Sequence, residues 1–319
     1  MVPPKRSHFS NISGILAPER EICPDCREAE GRLFGLVSQE ARRGRPEKEV
    51  FYMNRTIPVL CCSVAANPSP LGVKLHTAGY EALGLDYRYF AIGATDIEPV
   101  LQCVRTLAIR GLGVSMPHKQ TVIPFLDEVS QDVQAIGACN TVVQENGRLY
   151  GYNTDWVGAL GAIDEAGSGG LHSAVIIGAG GVARAIAYAL KQRGMAVFVS
   201  ARSADEREKL VNDLGLDGAD TLEQQGQFNA ELVVNTTPVA DSSSWPTNLD
   251  AHRHGKALFD VAFRYRRTQL IAEAERRGWT TIPGWRMLLR QAMGQFKLYT
   301  GQDAPAATLA KVLEEALLD

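Results

Sequence analysis

What this sequence lacks narrows its chemistry before any motif is read. No apolar run approaches the ~18 residues that span a bilayer, and the N-terminus carries no signal-peptide apolar core. Both absences predict a cytoplasmic protein with no membrane partner. An excess of one charge is also missing. The 33 Lys and Arg face 36 Asp and Glu, a net charge of −3, which offers nucleic acid no basic face. Cysteine is sparse: of six, Cys23 and Cys26 form one CxxC, with no second pair at zinc-ligand spacing. Cys61, Cys62 and Cys103 lie in apolar patterns and read as small core residues. Free thiols and no metal are expected. Internal repeats and low-complexity tracts are absent.

What is present is an ordinary globular composition, 45% hydrophobic and 22% charged over 319 residues, enough for two domains with their own cores. The organising stretch is 174–203. Ala174, Val175, Ile176 and Ile177 are β-capable and run into Gly178-Ala179-Gly180-Gly181-Val182-Ala183. A helical pattern then reaches about Arg193, Gly194 supplies a C-cap, and a second apolar strand covers 195–199. Strand, glycine turn, helix, strand is the unit that holds a dinucleotide pyrophosphate at a helix N-terminus. Gly178 allows the tight turn, Gly180 lets backbone N–H groups approach phosphate, and Ala183 takes the third small position. A structural turn is the plainer alternative. Where an NAD site places an acid for the ribose 2′-hydroxyl, this chain has Ser200-Ala201-Arg202-Ser203, with Arg207 nearby. A guanidinium and a hydroxyl suit a 2′-phosphate, which favours NADP; a solvated loop Arg is the alternative.

In chain order, residues 1–52 show poor apolar periodicity and read as a flexible extension, so that Met53 is a candidate native start. Strands are predicted at about 57–63, 87–92, 111–115, 139–144 and 148–152, the last two joined by the hairpin signal Asn146-Gly147. Helices are predicted at 72–83, 96–108 and 154–165, with 122–135 partly helical around Pro124. The glycine-rich linker 167–170 marks a boundary. Beyond the fingerprint come a helix at 204–214, strands at 231–235, 257–262 and 280–282, a helix at 268–277, and two final helices at 286–299 and 305–318. The fold class is α/β: a mixed N-terminal substrate domain (53–158), a Rossmann-type NADP domain (159–284), and C-terminal helices (285–319) that return to the first domain.

Three stretches place polar groups at predicted strand ends, where ligands gather in open α/β sheets. They are Gly113-Val114-Ser115-Met116-Pro117-His118-Lys119, Cys139-Asn140-Thr141 and Tyr152-Asn153-Thr154-Asp155. Lys119 and Asp155 follow different strands and can share a cleft. A desolvated Lys with a partner carboxylate can serve as the base that an alcohol dehydrogenation needs. A surface Lys and a helix-capping Asp are the plainer reading.

IRGLGVSMPHK at 109–119, ACNTV at 138–142, YNTDW at 152–156, IIGAGGVARA at 176–185, VNTTP at 234–238 and PGWRMLLRQA at 283–292 resemble the shikimate dehydrogenases, and most the shikimate 5-dehydrogenase-like group. The resemblance implies reversible NADP-dependent oxidation of a shikimate-type cyclic hydroxy acid; a monomer or homodimer is expected. It implies Lys119 and Asp155 as the catalytic pair, and Asn140, Gln291 and Ser115 (where Thr is usual) as hydroxyl ligands. Arg202 and Ser203 match the NADP-selecting loop, whose leading Asn is Ala201 here; Thr236 and Met287 fall on the cofactor side. Several positions depart. The family's Ser-x-Ser-Pro carboxylate clamp is Asn67-Pro68-Ser69-Pro70, its Tyr is Phe263, an Asn is Gly113, and a Gly is Trp156 near the cleft. At ~1.5–3 kcal/mol per hydrogen bond to a charged group, two losses weaken shikimate's transition state by roughly 10²–10⁴-fold unless compensated. Lys74, Arg264, Arg266 and Arg286 are candidate replacements, and quinate, aminoshikimate or another polyol acid becomes an alternative substrate. A cofactor-binding sensor is the rival from another class. Among the histidines, His76 is expected on the exposed face of a helix, His118 in an exposed loop, and His252-Arg253-His254 in a solvated turn.

Overall fold

The computed structural model describes residues 57–237 and 247–317. The extension 1–52, its Cys23-x-x-Cys26, Met53 and Pro238 lie outside the described residues. A first sheet contains β1 (Val59–Ala65), β2 (Tyr87–Gly93), β3 (Gly111–Val114), β4 (Glu128–Val129), β5 (Thr141–Glu145) and β6 (Arg148–Tyr152), in the order β2-β1-β3-β5-β6-β4. It is mixed, because β5 runs against both β3 and β6. Four helices lie between its strands: α1 (Leu71–Ala82), α2 (Glu98–Thr106), α3 (His118–Thr121) and α4 (Gln131–Ile136). α5 (Asp155–Glu165) leads out of it.

The second sheet contains β7 (Ser173–Ile177), β8 (Ala196–Ser200), β9 (Gly218–Asp220), β10 (Leu232–Asn235), β11 (Ala257–Asp260) and β12 (Thr280–Pro283). Its order is β12-β11-β10-β7-β8-β9 and every pairing is parallel. The helices α6 (Gly181–Gln192), α7 (Ala204–Leu214) and α8 (Gln269–Arg276) serve as its crossovers. Buried on both faces, β7, β10 and β11 read as apolar runs with a polar residue only at one end, Ser173, Asn235 and Asp260. Two final helices, α9 (Gly284–Thr300) and α10 (Ala306–Ala316), return to the first sheet. Leu289 and Ala292 of α9 and Leu309 and Leu313 of α10 share a core cluster with Leu71 and Leu75 of α1.

Local chemistry sets the element ends. Ser130, Ser203 and Thr268 cap α4, α7 and α8 through side-chain oxygens that accept the N–H three residues on. Asn146 (φ 50°) and Gly147 (φ 81°) turn the β5–β6 hairpin as their sequence requires. The stretch 122–135 differs from expectation. It holds a 3₁₀ turn, the short strand β4 and α4 rather than one partial helix.

Several side chains also differ from their sequence reading. Cys61 and Cys62 are buried, whereas Cys103 is exposed, on the outer face of α2. His76 is buried and stacks on Tyr89 with ring centroids 4.3 Å apart. The first sheet and the returning C-terminal helices cover α1 from two sides, so its His-bearing face meets no solvent. His118 is buried and donates from Nε2 to the carbonyl of Ala94 at 2.8 Å. His252 is buried against Thr247 and Gln225, leaving only Arg253 and His254 exposed.

Candidate active site

Two strand ends of the first sheet bring the site together. β3 ends at Val114, and the chain turns through Ser115-Met116-Pro117 into α3, which carries Lys119. β6 ends at Tyr152, and Asp155 opens α5. The Lys119 Nζ donates to Asp155 Oδ2 at 2.6 Å, with side chains only 11% and 3% exposed. Asp155 does not cap its helix through its side chain. The carboxylate instead sits at the positive end of α5 and faces the ammonium. Such a buried pair holds its geometry because separating either charge from the other leaves it unsolvated.

Beside this pair lies a connected amide and hydroxyl network. Asn140 donates from Nδ2 to Thr154 Oγ1 (2.9 Å) and Gln291 Oε1 (3.0 Å), and its Oδ1 accepts from Thr154 N (2.8 Å) and Thr141 Oγ1 (2.7 Å). Gln295 donates to the Asn140 carbonyl and to Thr141 Oγ1, both at 3.2 Å. Thr141 and Thr154 belong to the polar stretches that the sequence places at strand ends, whereas Gln295 has no such motif. Gln295 lies one helical turn after Gln291, the one signal that places both on the same face of α9. A Cβ on Gly113 would lie 3.0 Å from the Tyr89 hydroxyl and 3.5 Å from Gln295 Nε2. Those two side chains therefore occupy the space beside Gly113.

Across the cleft, the glycine turn has the form a dinucleotide requires. Gly178 has φ +111°, and a Cβ there would collide with Thr236 Oγ1, which donates to the Ile177 carbonyl at 2.7 Å. A Cβ on Gly180 would meet nothing within 4 Å, so the start of α6 is an open cradle of backbone N–H groups. Ala179 and Val182 pack partly against the core and Ala183 is fully buried in it, the close helix–sheet approach expected of the third small position. Gly181 faces Lys119: a Cβ on it would lie 3.0 Å from Lys119 Cβ. At the end of β8, Arg202 is exposed, a guanidinium suited to a phosphate. Ala201 is buried, Ser203 caps α7, and Arg207 folds back onto the Ala201 and Arg202 carbonyls, holding that loop. These residues fit a dinucleotide with a 2′-phosphate. Met287 is 5% exposed and packs in the second core.

Comparison with known proteins finds matches in both halves of the chain. The family model for the shikimate dehydrogenase substrate binding domain matches residues 64–142, and that for the shikimate 5′-dehydrogenase C-terminal domain matches 284–314. A third, described as NADP oxidoreductase coenzyme F420-dependent, matches 173–264. The shikimate dehydrogenase (NADP(+)) of Moorella thermoacetica is 38% identical over 268 residues, covering 78% of this chain and 89% of that protein. The chain belongs to the shikimate dehydrogenase family. A shikimate dehydrogenase-like protein of Haemophilus influenzae is 34% identical, covering 76% of this chain and 91% of its own length. Among solved structures, shikimate 5-dehydrogenase from Thermus thermophilus in complex with NADP(H) and shikimate superposes with a TM-score of 0.73 at 34% identity, over 81% of this chain and all of that one.

Against the family pattern, the carboxylate clamp is where this shikimate dehydrogenase relative departs. Ser69 Oγ accepts from Leu71 N at 3.3 Å and so braces the entry to α1; Asn67 is exposed. Neither hydrogen-bonds the network around Asn140. Phe263 brings no hydroxyl and packs against the α1–α9–α10 cluster. Ser115 is exposed. Trp156 does not fill the cleft. It is 3% exposed, packed with Ile136, Leu160 and Ala189 and edge-on to Tyr188, because α5 and α6 meet there. Of the candidate cations, Arg266 pairs with Glu314, Arg286 lies over the Trp285 ring, and Arg264 is exposed while Lys74 is exposed on α1.

Proposed function

We propose that this chain is an NADP-dependent dehydrogenase that interconverts a shikimate-type cyclic hydroxy acid and its keto form. It acts in the cytoplasm as a monomer or homodimer. The observation that carries the reading is the buried Lys119–Asp155 pair, whose lysine has its Cβ 3.0 Å from where a Cβ on Gly181 would stand. Residues 53–158 form the substrate domain, 159–284 the NADP domain, and 285–319 complete the first.

A nicotinamide cofactor held on the turn Gly178–Ala183 would supply or accept the hydride. In reduction the Lys119 ammonium gives a proton to the forming alkoxide and is left as the amine. In oxidation the amine, having first released its own proton, takes the hydroxyl proton and becomes the ammonium, work that a positioned group speeds by ~10²–10⁴-fold. Asp155 orients Nζ toward the cleft. Asn140, Gln291 and Ser115 bind the remaining hydroxyls, with Asn67 and Ser69 at the outer edge. The turn Gly178–Ala183 holds the pyrophosphate on α6, Thr236 fixes the turn from behind, and Arg202, with Ser203 and Arg207, receives the 2′-phosphate. Ala201 and Met287 line the cofactor side.

The altered clamp favours a second reading, oxidation of quinate, aminoshikimate or another polyol acid. Ranking kcat/KM for shikimate, quinate and aminoshikimate with NADP⁺ and NAD⁺ separates the two. Shikimate with NADP⁺ is expected to lead. A different acid leading by about tenfold, a gap of ~1.4 kcal/mol, moves the assignment to it. Tight NADPH binding without turnover on the whole panel overturns the enzyme reading in favour of a sensor.

A further inference from the structure

Arg184 lies on the first turn of α6 and is 4% exposed. A guanidinium is buried to that degree only when its donors are paired. Its partners belong to both halves of the molecule. Nε donates to the carbonyl of Ile136, the last residue of α4 beside the first sheet. Nη2 donates to Asp213 Oδ2 at 2.7 Å, on α7 of the second half. The Ile136 carbonyl is among those that a helix C-terminus leaves unpaired, where a cation is favoured. Gly137 makes the approach possible: it ends α4 at φ +68°, and a Cβ on it would lie 2.8 Å from Nη2.

The chain that leaves Gly137 enters the candidate site at once. The Ala138 carbonyl accepts from Asn153 Nδ2 at 2.8 Å, and Cys139 N donates to the Lys119 carbonyl at 2.7 Å. Asn140 then anchors Thr154 and Gln291. On the other side, Gly181 heads the same helix as Arg184, and its missing Cβ would stand 3.0 Å from Lys119 Cβ and 3.6 Å from Ala138 Cβ. The clip therefore sits one residue from the site in the first half and one helical turn from the glycine cradle in the second.

We propose that Arg184 is a positioning residue, fixing the separation between the N-terminus of α6 and the segment 138–140 that braces Lys119 and carries Asn140. The inference rests on the dehydrogenase reading above, and Arg184 itself touches neither substrate nor cofactor. Its effect is on the approach of the two reacting partners, where a displacement of about 1 Å costs on the order of 10²-fold in rate.

The test uses the full chain with Arg184→Met, Arg184→Lys and Asp213→Ala. The first measurement is hydrogen exchange at the Cys139 amide, which needs no turnover. In Arg184→Met it is expected to exchange about tenfold faster while Val175 in β7 keeps its protection. The second is steady-state kinetics with an NADP⁺ titration. kcat is expected to fall on the order of 10²-fold with the NADP⁺ Kd within about threefold, and Arg184→Lys to recover part of the loss. A merely structural Arg184 would speed exchange throughout and leave kcat of the folded variant within about twofold. That result, or an unchanged Cys139 amide, overturns the proposal. If Arg184→Met does not fold, Asp213→Ala loosens the clip while keeping the buried cation on Ile136, and is read by the same two criteria. Lack of turnover in the unsubstituted chain tells against the dehydrogenase reading alone, since exchange at Cys139 still decides the role of Arg184.

Discussion

Lys119 and Asp155 show how much a single contact carries here. Replacing Lys119 by Ala strands the Asp155 carboxylate in a site that leaves it 3% exposed. Turnover is expected to fall nearly to nothing, NADP⁺ affinity to stay within a few-fold, and stability to drop by up to about 3 kcal/mol. Kinetics, cofactor titration and urea unfolding check the three parts; normal turnover would remove Lys119 from the mechanism. Gln295→Leu withdraws the donor to the Asn140 carbonyl and Thr141 Oγ1. It is expected to cost about 1 kcal/mol of stability and to raise KM for the hydroxy acid while NADP⁺ affinity holds. At this scale the sequence was informative where a residue belonged to a motif, as Lys119, Asn140, Asp155 and Gln291 do. It was silent on Gln295 and on the Arg184 clip, whose partners are set by packing.

Among the elements, α9 matters beyond its own stability, since it carries Gln291 and Gln295 into the first half. A Cβ on Gly111 of β3 would lie 2.3 Å from the Tyr299 ring of α9, well inside contact distance. Gly111→Ala therefore pushes helix from sheet. A loss of about 1–3 kcal/mol is expected, seen as a lower thermal midpoint, together with weaker substrate binding. Gly84→Ala is no fair control, because Gly84 has φ +63°; Gly170→Ala, with open space and no positive φ, is one and should be neutral. The long periodic elements, β7, α6, β8 and α7, were legible because pattern, glycine and cap agree. β4 and β9, of two and three residues, were not, since neither completes an alternation long enough to register.

For the whole molecule, burial of neutral histidines sets an acid limit on stability. Desolvation lowers His76 to about 4, and likewise His252 to about 4, from 6.5. The folded chain then binds fewer protons than the unfolded one between those values. Their contribution is fully present above pH 6.5, is lost as pH falls toward 4, and is flat below. Each is worth roughly 3 kcal/mol across that window. Urea midpoints at pH 7.5 and 4.5 should show His76→Phe losing less stability on acidification than the unsubstituted chain; equal losses would mean that His76 is protonated where it lies.

The sequence by itself determined the local grammar of this protein: the strand–glycine–helix turn with its closing Gly194, the Asn146-Gly147 hairpin, and the order of motifs that resembles the shikimate dehydrogenases. Those signals are short-range, set by backbone sterics and by hydrogen bonds a few residues apart. Only the tertiary structure decided which distant groups meet. Lys119 and Asp155 are 36 residues apart, Ile136 and Arg184 are 48, and Asn140 and Gln291 are 151. Their contacts, like the burial of His76 beneath the returning helices, depend on how two sheets and the C-terminal helices pack, and packing is a property of surfaces that no local pattern contains.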